Sequence, residues 1–224
     1  LGGVYPHGKH PQESSRQGLA AGGMALPSGW LGQADNFLGI DEPWCHPDQA
    51  GVYVLPAPYE HTSSYILGSD RGPSAIIEAS QQVELYDETL RYEPYREWGG
   101  VATAATLNLD GRVDGPAVQA IQDFVQPHVG RGKFLVTLTG EHTGALGAIR
   151  AHARNYPGMC VVQIDAHGDL RQAYQDNPYS HASVMARVVE DGLPLVQIGV
   201  RSISPEEIDL IQKTPRIHTF FAAS

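Results

Sequence analysis

Short apolar runs alternate with stretches of helical spacing along the chain after residue 50. The run GVYVLPAP (51–58) is apolar at successive positions and contains two prolines near its end, which predicts a buried strand followed by a loop. A helix is predicted to begin between Asp70 and Pro73. Its apolar positions recur at helical spacing, at Ala75, Ile76, Ala79, Val83 and Tyr86. A second helix is predicted over 117–125 and should end at Pro127.

The alternation becomes regular from residue 134 onward. Strands are predicted at 134–138, 160–164, 195–200 and 216–221, and helices at 143–154, at 183–189 and after Ser204. Ser204 and Glu207 form a predicted capping box around a first-turn proline. Strands joined by single helices favour a mainly parallel sheet, in an open doubly wound form or a closed barrel. In both forms ligands bind beyond the carboxyl ends of the strands.

Residues 1–50 differ from the rest because they are rich in glycine and proline and show neither strand nor helix periodicity. We interpret them as an irregular N-terminal extension that lies over the domain or over a neighbouring subunit. The α/β domain is then predicted to occupy residues 51–224. No chemistry is assigned to the extension.

Composition narrows the class of protein. The chain has 15 Lys plus Arg against 25 Asp plus Glu, and its net charge of -10 disfavours nucleic-acid and membrane-surface partners and favours cationic substrates. Two distant cysteines, Cys45 and Cys160, exclude a disulfide scaffold and suit a reducing compartment, so cytoplasmic localisation is expected. No apolar run approaches the ~20 residues of a membrane-spanning helix, and the first residues lack the apolar core of a signal peptide.

Two clusters of ionisable residues follow predicted strands. His142 lies in GEHT, directly after FLVTL, and VVQIDAHGDLR places Asp165, His167 and Asp169 at alternate positions. Alternate positions leaving a strand point to one side, so we expect these three side chains to converge. Singly, each residue is more often a turn former, a helix cap or a hydrogen-bonded histidine.

Together, the three groups would repel one another or stay unsatisfied without a cation. Mixed carboxylate and imidazole ligands suit Mn²⁺, Fe²⁺, Ni²⁺ or Zn²⁺ better than Ca²⁺. The pattern therefore predicts a metal site formed by Asp165, His167 and Asp169, with His142 joining it.

Several strings of the sequence resemble the agmatinase branch of the arginase/agmatinase (ureohydrolase) family. They are GEHTGA, VVQIDAHGDLR, SHASVMARV, VQIGVRSISPEE and the earlier VLPAPYEHTSSYILGSDRGPSAI, and the resemblance runs from about Phe37 to Phe221. It implies a three-layer α/β/α fold around a mainly parallel sheet. It also implies a trimeric or hexameric homo-oligomer and two Mn²⁺ ions that share a hydroxide, with Ni²⁺ or another divalent ion as the alternative metal.

Carried over by position, the resemblance implies a role for each candidate residue. His142 and Asp169 would hold one ion, His167 would hold the other, and Asp165 would bridge them. His181 corresponds to the family's catalytic histidine, which protonates the departing amine; alternatively, it is a helix-entry histidine bonded to local backbone. The implied reaction is hydrolysis of a guanidino compound to urea and an amine. Because a guanidinium carbon is a poor electrophile, the reaction needs the hydroxide that a metal pair provides.

The sequence also departs from the family pattern. Glu141 stands where many members have aspartate, and Thr139 stands where glycine is common. Arg171 argues against arginine bound as in arginases, or it is a surface residue. The family's later S-x-D-x-D stretch and substrate-facing glutamate are both absent through Ser224. We therefore expect the natural chain to continue and supply the missing aspartates; otherwise, the site should lack a well-occupied metal pair.

Substrate identity stays open. Agmatine is the favoured substrate, and guanidinobutyrate, proclavaminate, formiminoglutamate and guanidine are alternatives, because relatives with similar metal motifs process them. Substrate-binding residues are not assigned. A non-catalytic or regulatory homologue that lacks the second aspartate pair is the competing hypothesis.

Overall fold

Six strands and six α-helices are found among residues 25–222, the part of the chain that this computed structural model describes. The strands are β1 Val52–Ala57, β2 Val101–Thr103, β3 Phe134–Thr139, β4 Val161–Ile164, β5 Leu195–Val200 and β6 Ile217–Phe221. The helices are α1 Gly72–Ser80, α2 Pro94–Glu97, α3 Asp114–Val125, α4 Gly144–Asn155, α5 Val184–Glu190 and α6 Pro205–Lys213. Short 3₁₀ turns lie at Phe37–Gly39, Ser69–Arg71, Gln126–His128 and His181–Ser183.

All strand pairs are parallel and form two open three-stranded sheets. The strand orders are β2-β1-β3 and β4-β5-β6. This confirms the predicted α/β class and the mainly parallel sheet, in its open form. Because parallel strands end at the same edge, the loops after β3 and β4 are positioned to share one site.

Both faces of the first sheet are covered. On one face, Tyr53 and Leu55 of β1 pack with Ile121 of α3 and Ala151 of α4. On the other face, β1 packs against a cluster that includes the residues preceding it and α2. The members of that cluster are Ile40, Cys45, Val54, Tyr95 and Val101. Full burial on two faces is the reason that β1 is apolar at successive positions.

Residues 25–50 contain only turns, one 3₁₀ turn and an isolated bridge between Trp30 and Ala104. Ile40 and Cys45 are nevertheless buried against the first sheet. The part of the predicted extension before residue 25 lies outside the described residues. Within the described range, no helix has the length and apolar character needed to cross a membrane.

The helix predicted after Asp70 is shorter than expected and buries a different face. It ends at Ser80, and the predicted apolar stripe is exposed, with Ile76, Val83 and Tyr86 open to solvent. The buried positions are instead Pro73, Ile77 and Ser80. The hydroxyl of Ser80 accepts a hydrogen bond from the Leu38 N–H at 2.8 Å, so contact with the N-terminal segment selects this face.

Two short elements, β2 and α2, were not predicted from the sequence. Pairing with β1 defines β2, which is only three residues long. The later elements match their predictions closely: Pro127 lies in the 3₁₀ turn that ends α3, and Ser204 and Glu207 form both hydrogen bonds of the capping box.

One face of the second sheet is apolar and exposed. Ile164, Ile198 and Phe220 lie in register across β4, β5 and β6 and are 82%, 42% and 60% exposed. Among the described residues no strand joins β3 to β4. An apolar sheet face and unpaired edges of this kind are normally covered by further polypeptide.

We therefore expect Ile164→Asp, introduced into the natural protein, to lower the free energy of unfolding by about 2 to 3 kcal/mol, because a charge would be buried. Ile76→Asp, on the exposed face of α1, is the control and should cost no more than about 0.5 kcal/mol. Denaturant unfolding measures both values. Equal and small effects would show that this face of the sheet is open to solvent.

Candidate metal centre

One pocket of about 450 Å³ contains all five site residues that the sequence predicts. His142 follows β3, Asp165, His167 and Asp169 follow β4, and His181 lies in the 3₁₀ turn before α5. A larger cavity of about 680 Å³ lies between residues 58–60 and 106–113 and contains none of them. The smaller pocket therefore carries the candidate chemistry.

His142, Asp165 and Asp169 form the centre of the site. The Nδ1 atom of His142 lies 2.7 Å from Asp169 Oδ2 and 3.8 Å from Asp165 Oδ2. One ligand atom from each residue lies within 4.8 Å of the other two. Two carboxylates converging on one imidazole provide the donor set that a divalent transition metal requires, so these residues fit the predicted ion.

Asp165 lies between two histidines. Its Oδ2 atom faces His142, whereas its Oδ1 atom lies 3.2 Å from His167 Nδ1 and accepts the His167 backbone N–H at 2.9 Å. His167, 63% exposed at its side chain, lies outside the three-residue group. The expected convergence of Asp165, His167 and Asp169 on one point is therefore only partial, since Asp165 and Asp169 belong to the group and His167 does not. The backbone of Asp169 is left-handed, with φ of 51°.

The segment after β4 is held by main-chain bonds to the end of β5. Asp165 donates its N–H to Ile198 O at 3.1 Å, and Ala166 O accepts the N–H groups of Arg201 and Ser202 at 2.8 and 2.9 Å. Gly168 follows in a tight space, where a Cβ would lie 3.0 Å from Glu207 Oε1. The strand pairing thus continues into residues 165–170, which we call the metal loop, and limits the movement of this loop.

Asp169 is fixed at both its main chain and its side chain. Its carbonyl oxygen accepts the N–H groups of Met185 and Ala186 at the start of α5, at 2.9 and 3.2 Å. Its Oδ2 atom accepts Gln163 Nε2 at 3.0 Å. A buried carboxylate needs such donors, because desolvation penalises an unpartnered charge.

A chain of buried polar side chains runs from Asp169 across the second sheet. Gln197 donates to Gln163 at 2.6 Å and to Gly168 O at 2.7 Å, and Thr219 donates to Gln197 at 2.9 Å. Sequence reasoning did not identify these residues. The available signal was a glutamine at the third position of both VVQI and LVQI, facing the core between apolar neighbours.

Glu207 has a second role beyond the predicted capping box. Its Oε2 atom accepts the Ser204 N–H at 2.8 Å, and its Oε1 atom accepts the Leu170 N–H at 2.8 Å. The side chain is buried, so the carboxylate joins the start of α6 to the metal loop. A capping pattern in the sequence does not reveal this longer-range contact.

The charges of the site shift two pKa values. Burial alone would lower the pKa of His142, but the hydrogen bond to Asp169 and the negative charges of Asp169 and Asp165 together raise it above the ordinary 6.5. Burial alone would raise the pKa of Asp165, but the His167 N–H and the nearby His142 lower it. Without a metal, the site therefore favours a protonated His142 between two carboxylates.

Within residues 25–222, the His181 ring bonds to a residue distant in sequence and to no local backbone group. Its Nδ1 atom lies 3.1 Å from Thr62 Oγ1, and its ring packs edge-on against Tyr174 at 5.8 Å between centroids. Arg171 lies over Tyr174, at 5.7 Å from the ring centroid, and is not among the residues that line the pocket. No role was predicted for Thr62 or for Glu141, whose carboxylate accepts a hydrogen bond from the Thr62 hydroxyl.

Comparison with known proteins gives consistent matches. A model of the arginase family matches residues 50–223. The N(1)-aminopropylagmatine ureohydrolase of Synechocystis sp. is 44% identical over 169 residues, which are 73% of this chain and 55% of that protein. The agmatinase of Bacillus anthracis is 30% identical over 175 residues, 73% of this chain and 57% of that protein.

Solved structures agree with these relatives. The agmatine ureohydrolase of Thermoplasma volcanium is similar with a TM-score of 0.63 and 27% identity, over 78% of this chain and 58% of that chain. The three-layer, parallel-sheet fold is therefore that of the arginase-like structures. The chain spans little more than half the length of the relatives it matches.

We expect Mn²⁺ to stabilise the natural protein by mass action, by about 2.7 kcal/mol when its concentration is 100 times the Kd. Asp165→Asn should lose most of this stabilisation, because Asp165 contacts both histidines. Asp209→Asn, an exposed residue of α6, is the charge-matched control and should keep it. Thermal unfolding with and without Mn²⁺ checks this, and a melting temperature that responds to neither Mn²⁺ nor a chelator would contradict it.

In the metal-free protein, we expect His142 to make stability depend on pH. Because its folded-state pKa is raised, its contribution is complete below the ordinary value of 6.5 and is lost as the pH rises through the raised value. The melting temperature of the wild type should therefore exceed that of His142→Asn at mildly acidic pH, and the difference should shrink as the pH becomes alkaline. A difference that does not change with pH would show that His142 is not protonated in the folded site.

Proposed function

The chain belongs to the arginase family, and we propose that the protein carrying it is a metal-dependent hydrolase that cleaves a guanidino compound into urea and an amine. The observation that carries the proposal is the pocket in which Asp165 lies between His142 and His167 and which His181 also lines. The family resemblance supplies the reaction class, and the donor geometry supports the metal dependence.

Four side chains would hold the metal ions. His142 and Asp169 would bind one ion, His167 would bind the other, and Asp165, with one oxygen toward each histidine, would bridge them. When bound, two divalent cations lower the pKa of a water molecule toward neutrality and so provide a nucleophile for the guanidinium carbon. Mn²⁺ is the proposed metal, and Ni²⁺ or another divalent ion is the alternative.

His181 would move the proton that the reaction displaces. An amine is a good leaving group only when its nitrogen is protonated. An imidazole is suited to transferring that proton near neutral pH. The ring lines the pocket beside the proposed ligands. Its contact with Thr62 holds the imidazole in place.

Further carboxylates are needed to complete the site. Mn²⁺ commonly binds more ligands than these four residues offer to two ions. We propose that the remaining aspartates come from polypeptide outside residues 25–222, which would also cover the exposed face of the second sheet. The greater length of the relatives supports this.

The proposed substrate is a guanidino compound with a cationic tail, namely agmatine or its N(1)-aminopropyl derivative. The relatives' names support both compounds. The net charge of -10 attracts cations over long range, although this affects encounter rate more than identity.

The proposal extends to location and assembly. Cys45 and Cys160 are both free, and Cys160 is exposed, which suits a cytoplasmic protein. We propose a homo-oligomer, a trimer or hexamer, from the family resemblance, with neither nucleic acid nor membrane as a partner.

A urea-release screen of the Mn²⁺-loaded natural protein tests the function. We expect agmatine and N(1)-aminopropylagmatine to react faster than arginine, guanidinobutyrate or guanidine. His181→Ala should keep its bound Mn²⁺ and lose rate by roughly 10²- to 10⁴-fold, as for removal of a general acid. A metal-loaded protein that releases no urea from any of these compounds would support the non-catalytic alternative, and loss of metal in His181→Ala would contradict the assigned role.

A further inference from the structure

The loop that follows β1 contacts His181 through a single hydroxyl group, and a buried carboxylate holds that hydroxyl. We propose that Glu141 and Thr62 are positioning residues that fix the tautomer of His181, with the proton on Nδ1 and the lone pair on Nε2. The proposal rests on the proposed function, in which His181 transfers a proton.

Thr62 Oγ1 has three polar neighbours within hydrogen-bond distance. Glu141 Oε1 lies at 2.8 Å, the backbone nitrogen of His181 at 3.0 Å, and His181 Nδ1 at 3.1 Å. A threonine hydroxyl has one proton to donate and two lone pairs to accept. Three neighbours therefore use its whole capacity, and the direction of each bond can be assigned.

The carboxylate determines the direction of the first bond. Glu141 Oε2 accepts the backbone N–H groups of His61 and Thr62 at 3.1 and 2.7 Å, and a glutamate carboxylate has acceptor oxygens only. The hydroxyl proton of Thr62 must then be donated to Glu141 Oε1. Both lone pairs of Thr62 Oγ1 remain as acceptors.

The two remaining neighbours must therefore be donors. The backbone N–H of His181 is one donor, and the other is Nδ1–H of the His181 ring. A neutral imidazole carries one ring proton, so its Nε2 atom is the acceptor. Among the described residues Nε2 has no hydrogen-bond partner, which leaves it available to the pocket.

The geometry of the loop explains why a carboxylate is buried there. Glu141 donates its N–H to Tyr59 O at 2.8 Å, and at Gly140 a Cβ would lie 2.4 Å from the same oxygen. The end of β3 and the loop after β1 are thus in direct contact. The Glu141 side chain lies in this contact and accepts two N–H groups of the loop. The same loop brings Tyr65 and Ile66 to the rim of the pocket.

The assigned tautomer matches the proton balance of the reaction. Nε2 accepts a proton from the water-derived oxygen after attack on the guanidinium carbon. It donates that proton to the amine nitrogen as the C–N bond breaks, so His181 returns to its starting state. With the opposite tautomer, Nε2 would carry a proton at the start and could not accept one.

Three variants of the natural, Mn²⁺-loaded protein test the proposal. Thr62→Val removes the hydroxyl at constant shape, and kcat should fall about 10- to 100-fold, part of the effect of a general acid, with KM changed less than about twofold. Thr62→Ser restores the hydroxyl and should recover most of the lost rate. Glu141→Gln offers an amide donor to Thr62, which turns the hydroxyl proton toward His181 Nδ1 and should reverse the tautomer.

Nitrogen-15 NMR of the imidazole ring, with His181→Asn to assign the signal, reports the tautomer without any turnover. On the diamagnetic, Mg²⁺-loaded protein, we expect Nδ1–H in the wild type and Thr62→Ser, and Nε2–H in Glu141→Gln. Metal content measured in every variant separates these effects from damage to the neighbouring His142.

A wild-type ring protonated on Nε2, or a Thr62→Val protein with unchanged kcat, would overturn the proposal. If the wild type releases no urea, the proposed function fails, and the NMR result still decides the tautomer. If Thr62→Val does not fold, the wild-type and Glu141→Gln spectra remain a complete test.

Discussion

A buried carboxylate must be matched by hydrogen-bond donors, since an ion taken out of water without partners costs several kcal/mol. Three carboxylates are buried in or next to the site: Glu141 and Asp169 line the pocket, and Glu207 bonds to the Leu170 N–H directly after Asp169. Each one is satisfied by donors from a different part of the chain. Glu141 bonds to the loop after β1, and Asp169 bonds to His142 before α4 and to the second sheet. Glu207 bonds to the metal loop and to the residue before α6. These bonds connect the segments that carry the site.

Asp169 connects the first sheet, the second sheet and helix α5. Its side chain contacts His142 from the first sheet and Gln163 from the second, and its carbonyl oxygen holds the start of α5. The two sheets have no hydrogen-bonded strand in common within the described residues, so this contact between His142 and Asp169 joins their carboxyl ends. The backbone at Asp169 is left-handed, and strain of this kind is common at functional sites.

Local patterns in the sequence predicted much of the fold and the proposed ligands. The β/α alternation after residue 134, the Ser204 capping box and the placement of His142 after β3 and of Asp165 after β4 depend on neighbours in sequence, and the structure agrees. The helix after Asp70 was predicted with the wrong face, because the stripes through Ile76 and through Ile77 both have helical spacing. Only contact with the N-terminal segment distinguishes them.

The missed residues have long-range partners. Thr62 contacts His181 across 119 positions, and Gln163 meets Gln197 only through sheet register. A polar residue in a loop or strand carries no local sign of such a contact. The second role of Glu207 was missed for the same reason, since a capping box accounts for the residue completely at the local level.

The central claim is that these carboxylates position a two-metal centre. Anomalous diffraction from crystals of the natural protein loaded with Mn²⁺ tests it most directly. The account predicts two Mn²⁺ peaks beside Asp165, one bound by His142 and Asp169 and the other by His167, with further carboxylates from outside residues 25–222. Ions bound elsewhere, or a pocket that stays without metal at saturating Mn²⁺, would contradict it.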